Sequence, residues 1–282
     1  MISVIAPAKI NLFLRICGRN SAGYHLLDSL VAFTEYGDKL TICAADQDEL
    51  ILTGEFAGRI NTHKKNNMVI LALDTFRKNG GVIGPLRIII EKKIPVGAGL
   101  GGGSSDAAAL LLALNEHSKP PLSQYDLYAL GLKLGADVPV CLARGCQRIA
   151  NIGEVFTRHN LPKTGAVLLV NPGVALSTKD VFKSFADSNQ KTGSGFGGPL
   201  SMPHVADIVR LGNDLTETSA SLVPQIKTCL DELKVAKGVV AAAMSGSGAS
   251  CFAFFESRDT ATITAAHLDN LGYWTQVTRI FD

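Results

Sequence analysis

Several features that define other protein classes are missing from this sequence. Its six cysteines form no CxxC pair, and it has no apolar run of about 18 residues, the length that a membrane-spanning helix needs. Residues 1–10 lack the basic segment followed by an apolar segment that marks a secretory signal peptide. We therefore expect a cytoplasmic protein with reduced thiols, no disulfide framework, no structural zinc site and no membrane association.

The chain also lacks a large excess of charge of either sign. The chain has 27 basic and 25 acidic residues, a formal net charge of +2, and aromatic residues make up only 6%. No basic stretch is longer than a pair such as Lys64-Lys65 or Lys92-Lys93. A nucleic-acid-binding protein usually shows a basic stripe or interleaved aromatic residues, so we expect no nucleic-acid partner. A small anionic ligand remains compatible with this composition, because a few well-placed cations suffice to bind it.

The composition is typical of a folded protein with a sizeable core. Hydrophobic residues make up 46% of the 282 residues and charged residues 18%. Strand-like and helix-like segments follow one another in a mixed order rather than in strict alternation, which favours an α+β fold over a doubly wound sheet. We predict two domains, a nucleotide-binding domain at 1–160 and a C-terminal domain at 161–282.

Local patterns predict individual elements. Apolar periodicity and glycine stops indicate helices at 67–78, 107–115 and 122–134, and later at 222–233 and 260–271. Strands are expected at 3–16, 86–90, 167–170, 239–243, 251–255 and 275–280. The apolar stretch 30–43 contains Gly37-Asp38, which predicts a turn, and a further strand is expected after Asp137. Residues 188–203 are rich in Gly, Ser and other polar residues and predict a mobile surface loop.

The most informative stretch is the glycine-rich segment at 95–106 (PVGAGLGGGSSD). Five glycines there carry a large entropic cost, which indicates a geometric need such as positive φ or close approach of a ligand to the backbone. The segment follows a predicted strand and precedes a helix expected to begin at Ser104. Successive amides and the positive end of that helix would form a phosphate cradle. A simple strand-to-helix turn capped by Ser104 or Ser105 is the alternative, but it would need about one glycine.

Two familiar phosphate-binding motifs do not account for this segment. Gly97, Gly99 and Gly102 satisfy the GxGxxG dinucleotide pattern, but no strand ending in an acidic residue follows about 20 residues later. A Walker motif, GxxxxGK[ST], occurs nowhere in the chain. A dinucleotide-dependent oxidoreductase and a non-catalytic nucleotide-binding module are kept as alternatives to a kinase.

Two further stretches, 6–12 (APAKINL) and 244–250 (MSGSGAS), complete a set of three motifs. Together with 95–106, they resemble the motifs of the galactokinase, homoserine kinase, mevalonate kinase and phosphomevalonate kinase (GHMP) superfamily, in the same order and with similar spacing. The resemblance extends through most of the chain, including Gly23-Tyr24-His25 and 135–139 (GADVP). It implies a two-domain GHMP kinase fold with the active site in the cleft between domains, and an enzyme that uses ATP and Mg²⁺.

The resemblance also implies a catalytic pair. Asp137 corresponds to the general base that accepts the proton of the substrate hydroxyl, and Lys9 to its electrostatic partner, which keeps Asp137 ionised and stabilises charge on the transferred group. From the residues alone, a turn aspartate and a solvated lysine are equally good explanations.

Other site residues follow from the resemblance in the same way. The acceptor it implies is a cytidine diphosphate derivative of methylerythritol, and the protein is expected to be a monomer or weak homodimer. The triphosphate would be wrapped by Pro95, Val96, Gly97, Ala98, Gly99, Leu100, Gly101, Gly102, Gly103, Ser104 and Ser105, with Ser104 or Ser105 near magnesium and no metal ligand certain. Asn67 and Lys92 would contact adenine. Tyr24 and Phe182 would stack on the cytosine, His25 would bind its edge, and Asn11 and Thr178 would place the erythritol end.

The sequence departs from the family pattern at a few positions. Ala22 stands where an aspartate is usual, and Asn171 replaces a common lysine before Pro172. Loss of that lysine is expected to weaken attraction to the diphosphate of the substrate. Within the superfamily, a kinase for another small alcohol, homoserine or mevalonate, is kept as an alternative. Tyr24, His25 and Phe182 argue against it, because those substrates have no base to stack on.

Overall fold

A computed structural model describes residues 1–60, 67–188, 192–193, 195, 200 and 202–281. The chain forms two compact units that interleave in sequence. The first consists of Met1–Ala8, Tyr36–Val96 and Gly101–Arg144, and the second of Lys9–Glu35, Gly97–Leu100 and the chain from Gly145 onward. The division into 1–160 and 161–282 stays a prediction.

The described residues contain strands and helices in a mixed order. The strands are β1 (Ile2–Arg19), β2 (His25–Ala44), β3 (Glu49–Thr53), β4 (Leu86–Glu91), β5 (Gln147–Asn151), β6 (Val155–Arg158), β7 (Ala166–Asn171), β8 (Val239–Met244), β9 (Cys251–Phe255) and β10 (Trp274–Thr278). The helices are α1 (Met68–Lys78), α2 (Gly102–His117), α3 (Gln124–Leu134), α4 (Val138–Ala143), α5 (Thr178–Asp187), α6 (Val205–Arg210), α7 (Thr216–Leu222), α8 (Gln225–Val235) and α9 (Arg258–Asn270), with a 3₁₀ turn at Ala57–Arg59. The predicted α+β class is confirmed.

The first unit is built on the C-terminal part of β2. Lys39–Ala44 of that strand pairs antiparallel with β4, and β4 pairs in parallel with β3. Helix α2 packs against α1 and α4, and α3 packs against the same two helices. The core of this unit includes Leu40, Ile42, Phe76, Ile88, Ile90, Leu110 and Leu111.

The bounds of helix α1 are determined by residues within the helix or next to it. Asn67 caps it, because its side chain accepts a hydrogen bond from the backbone amide of Val69. Ala72, Leu73 and Phe76 lie on one buried face at helical spacing. The helix predicted at 67–78 is confirmed.

The second unit contains a four-stranded antiparallel sheet in the order β10-β7-β9-β8. Strand β7 is buried along its whole length, and α8 and α9 pack on the sheet. Its core includes Leu168, Val170, Phe185, Ile226, Leu230, Phe255 and Leu268. In the same unit, the N-terminal part of β2 pairs with β5, which pairs with β6.

The turn predicted at Gly37-Asp38 is wrong, since β2 runs through both residues. A Cβ on Gly37 would lie 2.1 Å from the carbonyl oxygen of Ala6, so the glycine allows β1 and β2 to approach each other closely. Asp38 is fully buried, and its Oδ1 accepts hydrogen bonds from the amides of Lys93 and Ile94. Neither contact is visible locally, because the partners are distant in the chain.

Two other local predictions are corrected. The strand expected after Asp137 is the helix α4, which has Pro139 in its first turn and packs on α2 and α3. Helix α2 begins at Gly102 and not at Ser104, because Gly101 adopts the left-handed conformation that precedes it (φ 68°).

The remaining broad expectations concern cysteines, membranes and the polar loop. All six cysteines are free thiols, and four of them (Cys141, Cys146, Cys229 and Cys251) are buried. Among the helices described here, none is long and apolar enough to cross a membrane. The loop predicted at 188–203 falls largely outside the described residues.

Candidate active site

The glycine-rich segment adopts the backbone conformation that its composition predicts. Gly97, Gly99 and Gly101 have φ values of 64°, 74° and 68°, in the left-handed region that favours glycine. Gly99 is also confined, since a Cβ there would lie 2.4 Å from the carbonyl oxygen of Ser245. A Cβ on Gly97 would meet no atom within 4 Å, so open space lies beside this part of the loop. This geometry fits a loop whose backbone a ligand can approach.

Helix α2 begins directly after this loop. The amides of its first turn have no acceptor within the helix, and the helix dipole places partial positive charge there. Ser105 does not act as the cap, because its Oγ donates to the carbonyl oxygen of Pro7 at 2.7 Å. A Cβ on Gly103 would come no closer than 3.9 Å to its nearest neighbour, a side-chain atom of Met68. The start of α2 therefore offers amides and room for an anionic group.

Three buried ionisable side chains form a cluster in the first unit, and two of them flank the glycine-rich loop in sequence. Lys92 Nζ donates to Asp38 Oδ2 and, at 2.6 Å, to Asp106 Oδ2. All three side chains are at most 5% exposed. Burial lowers the pKa of Lys92, but the two carboxyl groups outweigh this and raise it. Burial raises the pKa of Asp106, with Lys92 opposing the shift and Asp38 adding to it.

A second glycine turn, Ser245–Gly248, lies in the second unit. Gly246 and Gly248 have φ values of 57° and 85°. Ser245 Oγ donates to the carbonyl oxygen of Gly99 at 2.9 Å. The amide of Ser250 donates to the carbonyl oxygen of Ala98 at 3.1 Å. The third sequence motif therefore holds the central residues of the glycine-rich loop.

Strand β1 brings the first motif to the same place. The amide of Lys9 donates to the carbonyl oxygen of Leu100 at 2.8 Å, and the Lys9 residue is 5% exposed. Asn11 is buried, and its Nδ2 donates to Ser29 Oγ at 2.9 Å. Among the described residues, Asn11 Oδ1 is a buried acceptor without a hydrogen-bond partner. Such an atom suits a site that receives a polar ligand group.

Asp137 lies at the N-terminal end of α4 in the first unit, whereas Lys9 belongs to the second. The Asp137 residue is half-buried, and its carbonyl oxygen accepts from the amide of Cys141 at 3.2 Å. The backbone of Asp137 is helical (φ −81°), and the residue directly precedes α4.

The predicted base-binding residues are partly gathered in the second unit. The His25 ring lies 5.1 Å from the Phe182 ring, tilted by 36°, and 6.0 Å from Phe185, edge to face. Arg19 Nε donates to His25 Nε2 at 3.2 Å. Burial and, secondarily, Arg19 lower the pKa of His25, which favours the neutral ring. Tyr24 is 64% exposed.

Thr178 begins α5 and contacts the second glycine turn. Its Oγ1 shares a hydrogen bond with Ser247 Oγ at 2.9 Å. Sequence reasoning singled out residues 244–250 as a motif but assigned no role to Ser245 or Ser247. The small-residue composition of that turn was the signal that could have identified them.

Asn67 and Asn171 make structural contacts. Asn67 is half-buried and caps α1. Asn171 is buried, donates from Nδ2 to Ser250 Oγ and accepts from the amide of Gly173, both at 2.8 Å. Both polar atoms of the Asn171 side chain therefore have hydrogen-bond partners within the second unit.

Comparison with known families accounts for this combination of motifs. Residues 67–145 match the model of the GHMP kinases N terminal domain, and residues 201–273 match that of the GHMP kinases C terminal. The chain belongs to the GHMP kinase family. It is an ATP-dependent small-molecule kinase, and the oxidoreductase alternative is discarded.

Curated relatives and solved structures agree with this assignment. A 4-diphosphocytidyl-2-C-methyl-D-erythritol kinase of Brucella abortus is 41% identical, covering 97% of this chain and 93% of the relative. A kinase of the same name from Gluconacetobacter diazotrophicus is 40% identical, covering 95% and 92%. A crystal structure of 4-(cytidine 5'-diphospho)-2C-methyl-D-erythritol kinase superposes with a TM-score of 0.81 at 29% identity, covering 99% of both chains. A homoserine kinase from Cytophaga hutchinsonii shares the fold at 19% identity and a TM-score of 0.71, covering 99% and 94%.

Proposed function

We propose that this GHMP kinase transfers the γ-phosphoryl group of ATP to the 2-hydroxyl of 4-diphosphocytidyl-2-C-methyl-D-erythritol, a step of non-mevalonate isoprenoid precursor biosynthesis. The observation that carries the proposal is the sequence identity of 41% and 40% to kinases of that name, over nearly the full length of the chains. Solved structures of a homoserine kinase and a mevalonate kinase share the fold at 19% and 15% identity. The reaction is proposed for the cytoplasm and for a monomer or weak homodimer.

The glycine-rich loop is the proposed triphosphate site. Its positive-φ glycines and the free amides at the start of α2 suit an anion with many acceptor oxygens. The described residues contain no group of three or more His, Cys, Asp or Glu side chains that could hold a metal ion. Magnesium is proposed to be held mainly by the triphosphate, with Ser104 or Ser105 nearby, and it would neutralise the charge of the phosphates. Asn67 and Lys92 are the proposed adenine contacts.

Asp137 is the proposed general base and Lys9 its electrostatic partner. Phosphoryl transfer needs a group that accepts the hydroxyl proton and a cation that stabilises negative charge on the transferred group. The low exposure of Lys9, 5%, supports this role, because a charge acts more strongly where water is excluded. The position of Asp137 directly before α4, fixed by its backbone, supports its role as the general base.

The acceptor is proposed to bind through its base and its sugar alcohol. Tyr24 and Phe182 would stack on the cytosine, and His25 would bind its edge. The contact between His25 and Phe182 supports a shared base site. Asn11 and Thr178 would place the erythritol end. The unpartnered Asn11 Oδ1 supports a hydrogen bond to a hydroxyl donor.

An acceptor panel tests the proposed function. ADP release is measured with Mg-ATP and, in turn, 4-diphosphocytidyl-2-C-methyl-D-erythritol, homoserine and mevalonate. Turnover with the cytidyl substrate alone is expected. Turnover with another acceptor would retain the kinase but refute the base-binding residues, and the absence of turnover with all three would refute the substrate assignment.

A further inference from the structure

Apart from the proposed contact of residue 92 with adenine, the buried cluster of Asp38, Lys92 and Asp106 has no role in the proposed transfer. Its three ionisable side chains are withdrawn from water, and the Lys92 ammonium contacts both carboxyl groups. Burying such a cluster is costly, and replacing buried ion pairs by apolar residues often leaves a protein as stable or more so. Stability alone is therefore a poor explanation of the cluster, and its position in the chain suggests another.

The cluster joins the two ends of the glycine-rich segment. Lys92 follows β4 directly and precedes the loop, whereas Asp106 lies on the second turn of α2, after the loop. The bond between Lys92 Nζ and Asp106 Oδ2 therefore closes the segment at its base, within the first unit. Asp38 adds to this closure, because its Oδ1 accepts from the amides of Lys93 and Ile94 at 2.6 and 2.8 Å.

A segment rich in glycine needs such a closure more than others do. Glycine loses more conformational freedom on ordering than any other residue, so the loop is expensive to hold in one conformation. Holding both ends fixes where the chain enters and leaves, which reduces the number of conformations that a ligand must exclude on binding.

Lys92 also neutralises negative charge near the start of α2. A Cβ on Gly102, the first residue of α2, would lie 3.5 Å from Asp38 Oδ2. An anionic carboxylate thus lies beside the amides that would meet phosphate oxygens, where it would repel them. The Lys92 ammonium, held against both carboxyl groups, neutralises this charge.

We infer that Asp38, Lys92 and Asp106 form a loop clamp that positions the glycine-rich segment and the start of α2 for the triphosphate of ATP. The three are positioning residues. The Lys92 side chain is engaged by two carboxyl groups, so any contact of residue 92 with adenine is made by its backbone. The inference rests on the triphosphate site of the proposed function but not on the identity of the acceptor.

The test uses the full-length protein and nucleotide binding without an acceptor. The variants are Lys92→Met, which removes the ammonium, and Asp106→Asn, which keeps the shape of the side chain and an acceptor for Lys92. We expect the Kd of ATP to rise about tenfold or more in Lys92→Met, as an unneutralised carboxylate beside the phosphates implies, and distinctly less in Asp106→Asn. The matched control is Arg77→Met, which breaks the exposed pair with Asp48 in the same unit and should leave the Kd unchanged.

A comparison of nucleotides separates positioning from base recognition. The loop clamp acts on the phosphates, so Lys92→Met should weaken ATP and GTP by the same factor. A change in the ratio of the two dissociation constants would overturn the inference in favour of an adenine contact through the Lys92 side chain.

A double variant guards against loss of folding. Lys92→Met with Asp106→Leu removes one buried carboxyl group together with the ammonium, so it should recover part of the thermal stability that Lys92→Met loses, while Asp38 keeps its two backbone donors. The expected result is a folded protein that still binds ATP weakly. Recovery of affinity together with stability would overturn the inference, because the cluster would then be merely structural. The loop clamp is tested by ATP binding, whereas the substrate assignment is tested by turnover of the acceptors. An absence of turnover would therefore refute the substrate assignment without affecting the test of the loop clamp.

Discussion

The backbone amide of Asn11 donates a hydrogen bond to Oγ of Ser245, which lies 234 residues later in the chain, at 3.2 Å. The same hydroxyl donates to the carbonyl oxygen of Gly99 at 2.9 Å. One serine side chain thus joins β1, the glycine-rich loop and the second glycine turn, through residues that all belong to the second unit. The three motifs that are far apart in sequence meet at this hydroxyl.

Replacing Ser245 by alanine should be more costly than an ordinary serine substitution. The buried amide of Asn11 and the carbonyl group of Gly99 would both lose a partner, at about 1–3 kcal/mol for an unsatisfied buried group. We expect a lower free energy of unfolding in urea and a higher KM for ATP. Ser221→Ala is the control, because the Ser221 residue is exposed and its hydroxyl donates to the carbonyl oxygen of Thr218, three residues away. Equal losses in the two variants would contradict the bridging role.

Alanine substitutions at Gly99 and Gly97 should differ sharply. Both residues have positive φ, so each variant carries a backbone strain of about 1–2 kcal/mol. Only Gly99 is also confined, since its Cβ would lie 2.4 Å from the carbonyl oxygen of Ser245 and 2.7 Å from that of Gly248. We expect Gly99→Ala to lower the melting temperature much more than Gly97→Ala. Similar melting temperatures would show that strain, and not space, dominates at this loop.

Asp137→Asn and Lys9→Met test the proposed catalytic pair. Loss of a general base typically lowers kcat by about 10²–10⁴-fold, and the loss should appear in kcat with little change in KM for ATP. Asp74→Asn, at an exposed position of α1, is the control with the same chemical change. Full turnover in Asp137→Asn would show that another group accepts the proton, or that none is needed.

The sequence predicts elements well where the determining contacts are local. Helix α1 has its cap and its apolar face within a dozen residues, and its bounds were predicted to within one residue. Helix α4 was mistaken for a strand because Val138 and Val140 favour strands, whereas its packing on α2 and α3 selects a helix. Tertiary contacts decide such short apolar segments, and a single sequence does not display them.

The same division applies to the candidate site. The backbone conformation of the glycine-rich loop was predicted from its composition, and the positive φ values of Gly97, Gly99 and Gly101 confirm that conformation. The roles of Asp38 and Ser245 were not predicted, because their partners lie 54 to 56 and 146 to 234 residues away. A buried aspartate that accepts distant amides looks, in sequence, like an aspartate in a turn.

His25 should titrate below the ordinary histidine value. Burial and the positive charge of Arg19 lower its pKa from 6.5. Because protonation is disfavoured in the folded state, any stability linked to His25 is present above pH 6.5 and is lost as the pH falls through the lowered pKa. An NMR titration should give a His25 midpoint below 6.5.

Arg19→Gln sharpens this measurement. Removing the guanidinium should raise the His25 midpoint, though not fully to 6.5, since burial remains. His159, whose pKa is lowered by burial and then by Arg148, is an internal control that should not move. A His25 midpoint that is unaffected by Arg19→Gln would contradict the hydrogen bond from Arg19 Nε.

The lysine that is common in the family at position 171 provides the last prediction. Asn171 is buried, and its side chain satisfies both Ser250 Oγ and the amide of Gly173. A lysine has donors but no acceptor, so Asn171→Lys would leave the Gly173 amide without its partner and would bury an ammonium group. We expect a loss of about 1–3 kcal/mol in the free energy of unfolding and no decrease in the KM for the acceptor.

Asn171→Ala separates the two causes of that loss. It removes both hydrogen bonds without adding a charge, so the difference between the alanine and lysine variants measures the cost of the buried ammonium. If Asn171→Lys instead kept full stability and lowered the KM of the cytidyl acceptor, the lysine would reach the diphosphate of the substrate. Position 171 would then contribute to acceptor binding, and the asparagine in this chain would weaken that binding. The contacts of Asn171 within β7 and its neighbours favour the first result, since every polar atom of the side chain already has a use in the fold.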